Sequence, residues 1–277
     1  MKSRARVLIL LVAFLLPAAP FAQRRAAQAG GDALSFRFLG PVVGNRVASI
    51  AGVPGDPSIY YAGAASGGVW KTTDGGLHWQ PVSDSMPVAA IGALAVAPSD
   101  PSVVWAGTGE AWAIRESDVI GDGIYKSVDA GRSWIHKGLD ETGRIGRIIV
   151  HPTNPDVVFA CAVGRITGSQ QERGVFRTTD GGERWERVLF VDANTGCSGL
   201  SIDAKNPRTL YAGTWQVEMH PWAMSSGGPG SGIYKSSDGG AKWTKVEASG
   251  LPKTPRSCWG AVMRPSAHAN TRSGFVG

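Results

Sequence analysis

Four copies of one short stretch restrict what this 277-residue chain can fold into more than any other feature. The copies are Lys71–Trp79 (KTTDGGLHW), Lys126–Trp134 (KSVDAGRSW), Arg177–Trp185 (RTTDGGERW) and Lys235–Trp243 (KSSDGGAKW). Their common form is Ser/Thr-x-Asp-x-Gly-x-x-Trp. Each follows a short apolar run: Gly68-Val69-Trp70, Gly123-Ile124-Tyr125, Gly174-Val175-Phe176 and Gly232-Ile233-Tyr234. Strand residues, an Asp-Gly turn and a Trp opening another strand make a β-hairpin signature. The aspartate can accept hydrogen bonds from the turn's own amides, and the hydroxyl can add a local bond. The Trp supplies a large apolar face. A catalytic carboxylate is needed once, whereas this one recurs with its whole turn. Asp74, Asp129, Asp180 and Asp238, with Trp79, Trp134, Trp185 and Trp243, are therefore expected to be structural.

The turn sits inside a larger unit. An apolar strand, a Pro-containing turn and a second apolar strand precede each copy. The second unit shows this best, with Ile91–Ala97, then Pro98-Ser99-Asp100-Pro101, then Val103–Gly107. The repeated aspartates lie 55, 51 and 58 residues apart. Four strands per unit at that period predict the blades of an all-β propeller. A fifth unit opens at Cys258–Pro265 and lacks a second strand or a turn. Exposed strand edges make an open ring unfavourable. The expectation is thus four complete four-stranded blades plus a partial fifth, a portion of a larger propeller, with a four-bladed propeller and a divergent tail as the alternative. The boundaries read as 1–22 export signal, 23–33 linker, 34–265 blades and 266–277 tail.

On these four turns the sequence resembles the Asp-box, or BNR-repeat, β-propellers. It is most similar to secreted bacterial proteins grouped with the sortilin-type propellers and often named glycosyl hydrolase-like. Sialidases, xyloglucanases and a photosystem assembly factor share the turn. The resemblance implies the fold and leaves the function open.

The N-terminus has a basic start (Lys2, Arg4, Arg6), an apolar run from Val7 to Leu16 and small residues at Ala18, Ala19 and Ala22. That is the pattern of a secretory signal, too short to span a bilayer. Removing residues 1–22 lowers the net charge from +6 to +3. The basic balance therefore belongs largely to the export segment, and no basic stripe suggests nucleic acid. The expected location is periplasmic or extracellular, with no membrane span after cleavage. Of the three cysteines, Cys197 and Cys258 align with the aliphatic positions Ile91 and Ile145. They read as small buried hydrophobes, with a Cys197–Cys258 disulfide conceivable between neighbouring blades. No spacing points to a metal or a cofactor.

Strands within a blade alternate in direction, so the Pro turns and the repeated turns fall at one end. The irregular loops fall at the other, where propeller ligands usually sit. Two of these loops carry candidate ligand-binding residues: Glu110, Trp112, Arg115, Glu116 and Asp118 in the second blade, and Trp215, Glu218, His220 and Trp222 in the fourth. Trp beside carboxylates suits sugar stacking and hydrogen bonding, and it suits ordinary loop packing equally.

Two functions follow. The first is an exported, non-enzymatic binding or scaffold propeller of the sortilin-like type, with a protein, peptide or glycan ligand. The alternative is a sialidase- or xyloglucanase-like glycoside hydrolase, whose carboxylate pair would come from Glu110, Glu116, Asp118 and Glu218. The sialidase resemblance lacks that family's Arg-Ile-Pro element. Xyloglucanase-type propellers carry an Asp before an early Gly-Gly pair. The matching stretch here, Ala65-Ser66-Gly67-Gly68, has Ala at that place.

Overall fold

The computed structural model describes residue 40, residues 46–110 and residues 120–247, all within the compact unit Leu39–Gly277. The expected export signal, the linker, the fifth unit at 258–265 and the tail lie outside the described residues.

The four repeats fold into four antiparallel sheets, three of four strands and one of four strands with a fifth paired beside them. Blade 1 is β1 (Val47–Val53), β2 (Asp56–Ala64), β3 (Gly68–Thr72) and β4 (Gln80–Pro81). Blade 2 is β5 (Ile91–Ala97), β6 (Asp100–Thr108), β7 (Ile124–Ser127) and β8 (Ile135–His136). Blade 3 is β9 (Ile145–Val150), β10 (Val158–Ala162), β11 (Gly174–Thr178) and β12 (Glu186–Leu189). Blade 4 has β13 (Thr195–Ile202) and β14 (Leu210–His220). A side strand, β15 (Ala223–Ser226), follows, and then β16 (Gly232–Ser236) and β17 (Thr244–Lys245). This is the all-β propeller architecture expected from the repeats.

Register repeats with the sequence. Val47 faces Ala64, Ile91 faces Thr108, Ile145 faces Ala162 and Cys197 faces Thr214. Successive inner strands pack on one another, β1 on β5, β5 on β9 and β9 on β13. The apolar core accordingly divides into one cluster per blade junction. Tyr61, Ile91 and Leu94 belong to the first, Trp105, Ile145 and Ile148 to the second, and Phe159, Cys197 and Leu200 to the third. All four inner strands line a cavity of about 290 Å³, through Ala51, Ala95, Arg147 and Ser201 among others.

The repeated turn is held by a fixed set of hydrogen bonds. In the first copy Thr72 Oγ1 donates to Asp74 Oδ1 (2.8 Å) and accepts from the Gly76 amide (2.9 Å). Asp74 Oδ1 also accepts the His78 amide at 2.9 Å. Ser127/Asp129, Thr178/Asp180 and Ser236/Asp238 repeat this pattern. Gly76, Gly131, Gly182 and Gly240 all take positive φ, from 86° to 94°, which closes the turn without a Cβ clash. One amide per turn then ties the two turns of a blade together: Gly75 to Ser58 O, Ala130 to Ser102 O, Gly181 to Asp156 O and Gly239 to Arg208 O. Both regular turns therefore occupy one end, as the sequence predicts. The four Trp rings are half-buried. Those of blades 2 and 3 reach the preceding blade, Trp134 Nε1 donating to Val82 O and Trp185 Nε1 to Lys137 O.

The cysteines differ from expectation. Cys161 and Cys197 form the disulfide, with Cα atoms 5.1 Å apart. Cys197 is thus not a free apolar thiol, nor the partner of Cys258, which lies outside the described residues. Register explains the pairing. Cys161 faces Arg147 in β9, the place where Gly63 faces Ser49 and Gly107 faces Ala93. At the first two junctions that glycine receives Ile91 or Ile145 of the next inner strand, within 2.6 Å of where a Cβ would stand. At the third junction the same two positions are both cysteine.

Candidate functional site

The loop end is dominated by a hairpin that extends blade 4. β14 pairs with β16 only as far as Thr214 and Gly232. Beyond that, Val217–His220 pairs with β15, closing on a two-residue turn, Pro221-Trp222. Period-two alternation sorts the side chains. Val217 and Met219 are buried with Val163, Ile166 and Trp215 in a small separate core. Glu218 and His220 face the other way, with Glu218 Oε1 3.1 Å from His220 Nε2. His220 stacks on Trp222, ring centroids 5.2 Å apart and 6° from parallel. Trp222 is 81% exposed.

The hairpin is held firmly. The Met219 amide donates to Ile166 O at 2.8 Å and the Val217 amide to Asn194 O at 3.3 Å. Gln216 accepts the Gly230 amide through Oε1 at 3.0 Å. A flat aromatic face is thus presented on a stiff support beside a carboxylate and an imidazole. Such a group can stack on a sugar ring and hydrogen-bond its hydroxyls.

The other candidates divide. Trp215 is buried at 2% exposure in the hairpin's core, so it supports the hairpin and cannot meet a ligand at the surface. Glu110 is 3% exposed and ion-paired with Arg46, a contact that joins blade 2 to the start of blade 1. Trp112, Arg115, Glu116 and Asp118 lie outside the described residues. Ala65, at the place of the xyloglucanase-type Asp, is buried, and its amide donates to Arg46 O at 3.0 Å.

Two arginines escaped the sequence reading. Arg173 is 1% exposed, and its Nη2 donates to Gly168 O at 2.8 Å and to Arg165 O, bracing the blade 3 loop from within. Burial lowers its pKa to about 10, opposed by the nearby carboxylates of Asp192 and Glu218, so it remains charged at neutral pH. Arg144 is 5% exposed, and Nη1 lies 3.4 Å from Gly164 O. The available signal was register. Arg144 directly precedes Ile145, where Ala90 precedes Ile91 and Gly196 precedes Cys197, so a charge stands where blades 2 and 4 carry a small residue. Buried positive charge thus lies near Glu218, at the base of the hairpin. Among the described residues, no group of three or more His, Cys, Asp or Glu could hold a metal ion. No helix among them is long and apolar enough to cross a membrane.

The described residues define a β-propeller that carries an aromatic hairpin, with Trp222 exposed at its tip, on its loop end. No family model matches the chain. It is similar to a xyloglucanase of a Paenibacillus species, 25% identical over 224 residues, covering 72% of this chain and 20% of that protein. It is also similar to xyloglucanases of Hypocrea jecorina (28% over 130 residues, 47% and 13%) and Acetivibrio thermocellus (29% over 147 residues, 48% and 16%). The chain thus spans about a fifth or less of the length of these relatives. Among solved structures, an ancestral GH74 enzyme matches with a TM-score of 0.57 at 21% identity, over 76% of this chain and 26% of that one. The GH74 xyloglucanase of Xanthomonas campestris matches with a TM-score of 0.54 at 20% identity, over 76% and 31%. At these identities the structural likeness shows the propeller fold. The relatives overturn the expectation of a non-enzymatic scaffold: the proteins this chain resembles in sequence are glycoside hydrolases.

Proposed function

We propose that this chain is propeller sequence of an exported glycoside hydrolase of the xyloglucanase type, acting on extracellular polysaccharide. Its repeated turns are read as Asp-boxes, and residues 1–22 as the export signal. The observation that carries the proposal is the match to xyloglucanases across as much as 72% of the chain. The glycan lies on the loop end, stacked on Trp222 and hydrogen-bonded by His220 and Glu218.

Glycoside hydrolysis needs two carboxyl groups, about 5–5.5 Å apart for retention or about 6.5–9.5 Å for inversion. Ala65 supplies none, and the Glu110 carboxylate is engaged by Arg46. Glu218 is a described loop-end carboxylate that is partly exposed, with the His220 imidazole Nε2 3.1 Å from its Oε1. Its partner belongs to Glu116, Asp118 or to further sequence of the enzyme.

The test is retention of the protein in native gels containing xyloglucan, together with reducing-end release from the same polymer. Trp222→Ala should weaken retention severalfold while changing stability by less than about 0.5 kcal/mol, because the ring is exposed. Retention equal to wild type would remove the hairpin from the site. Absence of both retention and hydrolysis on xyloglucan would sink the substrate assignment.

A further inference from the structure

Trp222 sits in a two-residue turn, and turn geometry alone does not fix the plane of an indole. A side chain free among rotamers loses that freedom when a ligand stacks on it, and the loss weakens binding. In this hairpin the plane is set in advance. Pro221 restricts the backbone of the turn. The His220 ring then lies almost parallel to the indole, 6° apart in plane and 5.2 Å between centroids. The imidazole is held in its turn. Glu218, two residues earlier on the same face of β14, has Oε1 3.1 Å from His220 Nε2. Opposite His220 in the pairing stands Ala223, a small residue.

The three groups form a chain from carboxylate to imidazole to indole. A carboxylate only accepts, so Nε2 supplies the hydrogen and Nδ1 is the nitrogen that takes up a further proton. Protonation places a full charge on a ring that is already in position. The Glu218 contact becomes charge-assisted, and the imidazole becomes a cation over an indole face, the best aromatic partner for one. Among the described residues, the charges facing this stack are Glu218 on the same strand and, through Glu218, Arg173 of the blade 3 loop. Asp192 acts on Arg173 in the same sense as Glu218 does. Histidine is the residue type in this set whose charge ordinarily changes between about pH 5 and 8.

We propose that His220 is the positioning residue for Trp222, and that proton uptake by its imidazole locks the indole plane. The hairpin then holds its ligand more tightly at mildly acidic than at alkaline pH. The ligand class is a neutral polysaccharide, whose own charge does not change with pH, so the dependence belongs to the protein. The consequence for binding rests on the glycan reading above, whereas the positioning rests on the stack alone.

The full chain, labelled with 5-fluorotryptophan, is followed by fluorine NMR from about pH 5 to 8. Of its ten tryptophans, Trp222 is the one whose signal disappears in Trp222→Phe. That signal should move along a single titration curve in the wild type and stay flat in His220→Gln, which removes both the ring and the charge. Both side chains are well exposed, so the variants should fold, which circular dichroism checks. Retention in gels containing xyloglucan is then compared at about pH 5.5 and 8. It should be about threefold stronger at the lower pH, the size of one exposed cation–π contact, and equal at both in His220→Gln. A wild-type Trp222 signal that ignores pH, or one that titrates equally in His220→Gln, would overturn the proposal. So would wild-type retention that is present and equal at the two pH values. A signal that titrates through His220 without retention at either pH would support the positioning role and remove xyloglucan from the site instead.

Discussion

The four repeated aspartates are partly exposed carboxylates that accept hydrogen bonds from amides and hydroxyls of their own turn. Asp74 is held well below the ordinary aspartate value of 3.8, first by the His78 amide and then by the His78 ring. For Asp129 the first cause is the Ser133 hydroxyl, for Asp180 the Arg184 amide and for Asp238 the Lys242 amide. Each folded pKa lies below the unfolded one, so as pH falls the unfolded chain takes up protons first. The stabilisation is present in full above about pH 4 and is lost as pH drops through the lowered folded values. Urea midpoints measured from neutral to acid pH should be flat and then decline below that range. Asp129→Asn should make the decline shallower. The hydroxyl of the same turn is buried. Ser127→Ala leaves the Gly131 amide without its 2.8 Å acceptor, and should cost about 1–3 kcal/mol in chemical unfolding. The same reasoning shows why the aspartates are poor catalysts: their lone pairs are committed to the turn.

At the scale of elements, two features set the architecture. The first is the glycine slot opposite each inner strand. Gly107 has Ile145 Cγ2 within 2.6 Å of where a Cβ would lie, with Ile148 Cδ1 at 3.1 Å. Gly107→Ala should therefore overpack the second junction and cost about 1–3 kcal/mol, measured as a lower urea midpoint with unchanged slope. The second is the length of β14. Four of its eleven residues, Val217–His220, have no partner in the four-stranded blade and pair instead with β15. That extension turns a loop into a rigid platform. The sequence showed the aromatic and charged residues of this segment, and it did not show the strand pairing. Val217 and Met219 look like parts of an irregular loop until Val163 and Ile166 of the adjacent blade are seen beneath them.

For the whole molecule, blades touch chiefly their neighbours, and stability resides at the junctions. The third junction carries a covalent link, Cys161–Cys197, between two buried side chains 36 residues apart in sequence. By the chain-entropy account a loop of that length contributes about 3–4 kcal/mol. The paired substitution Cys161→Ala, Cys197→Ala should lower the unfolding free energy by that order. A similar loss should follow refolding of the wild-type chain under reducing conditions. If both leave the urea midpoint unchanged, the disulfide contributes nothing to holding blades 3 and 4 together. An oxidising compartment suits such a bond, in keeping with the proposed export.

The sequence by itself determined the blade. Turn chemistry is local: Asp, Ser/Thr and Gly at fixed offsets close the same hairpin wherever they occur, and apolar runs at fixed distance supply its partner strands. Four copies therefore sufficed to give the four regular strands of each blade, their order and the end at which the regular turns lie. What crosses between blades was not legible. The Cys161–Cys197 pair, the burial of Arg173, the Arg46–Glu110 contact and the inward turn of Trp215 each depend on residues brought together by packing. Only tertiary structure could separate Trp215, a wall of the hairpin's core, from Trp222, its exposed tip. The reason is physical. A repeat specifies its own hydrogen bonds within a few residues, while the fate of a side chain at a blade's surface is decided by whatever the neighbouring blade places against it.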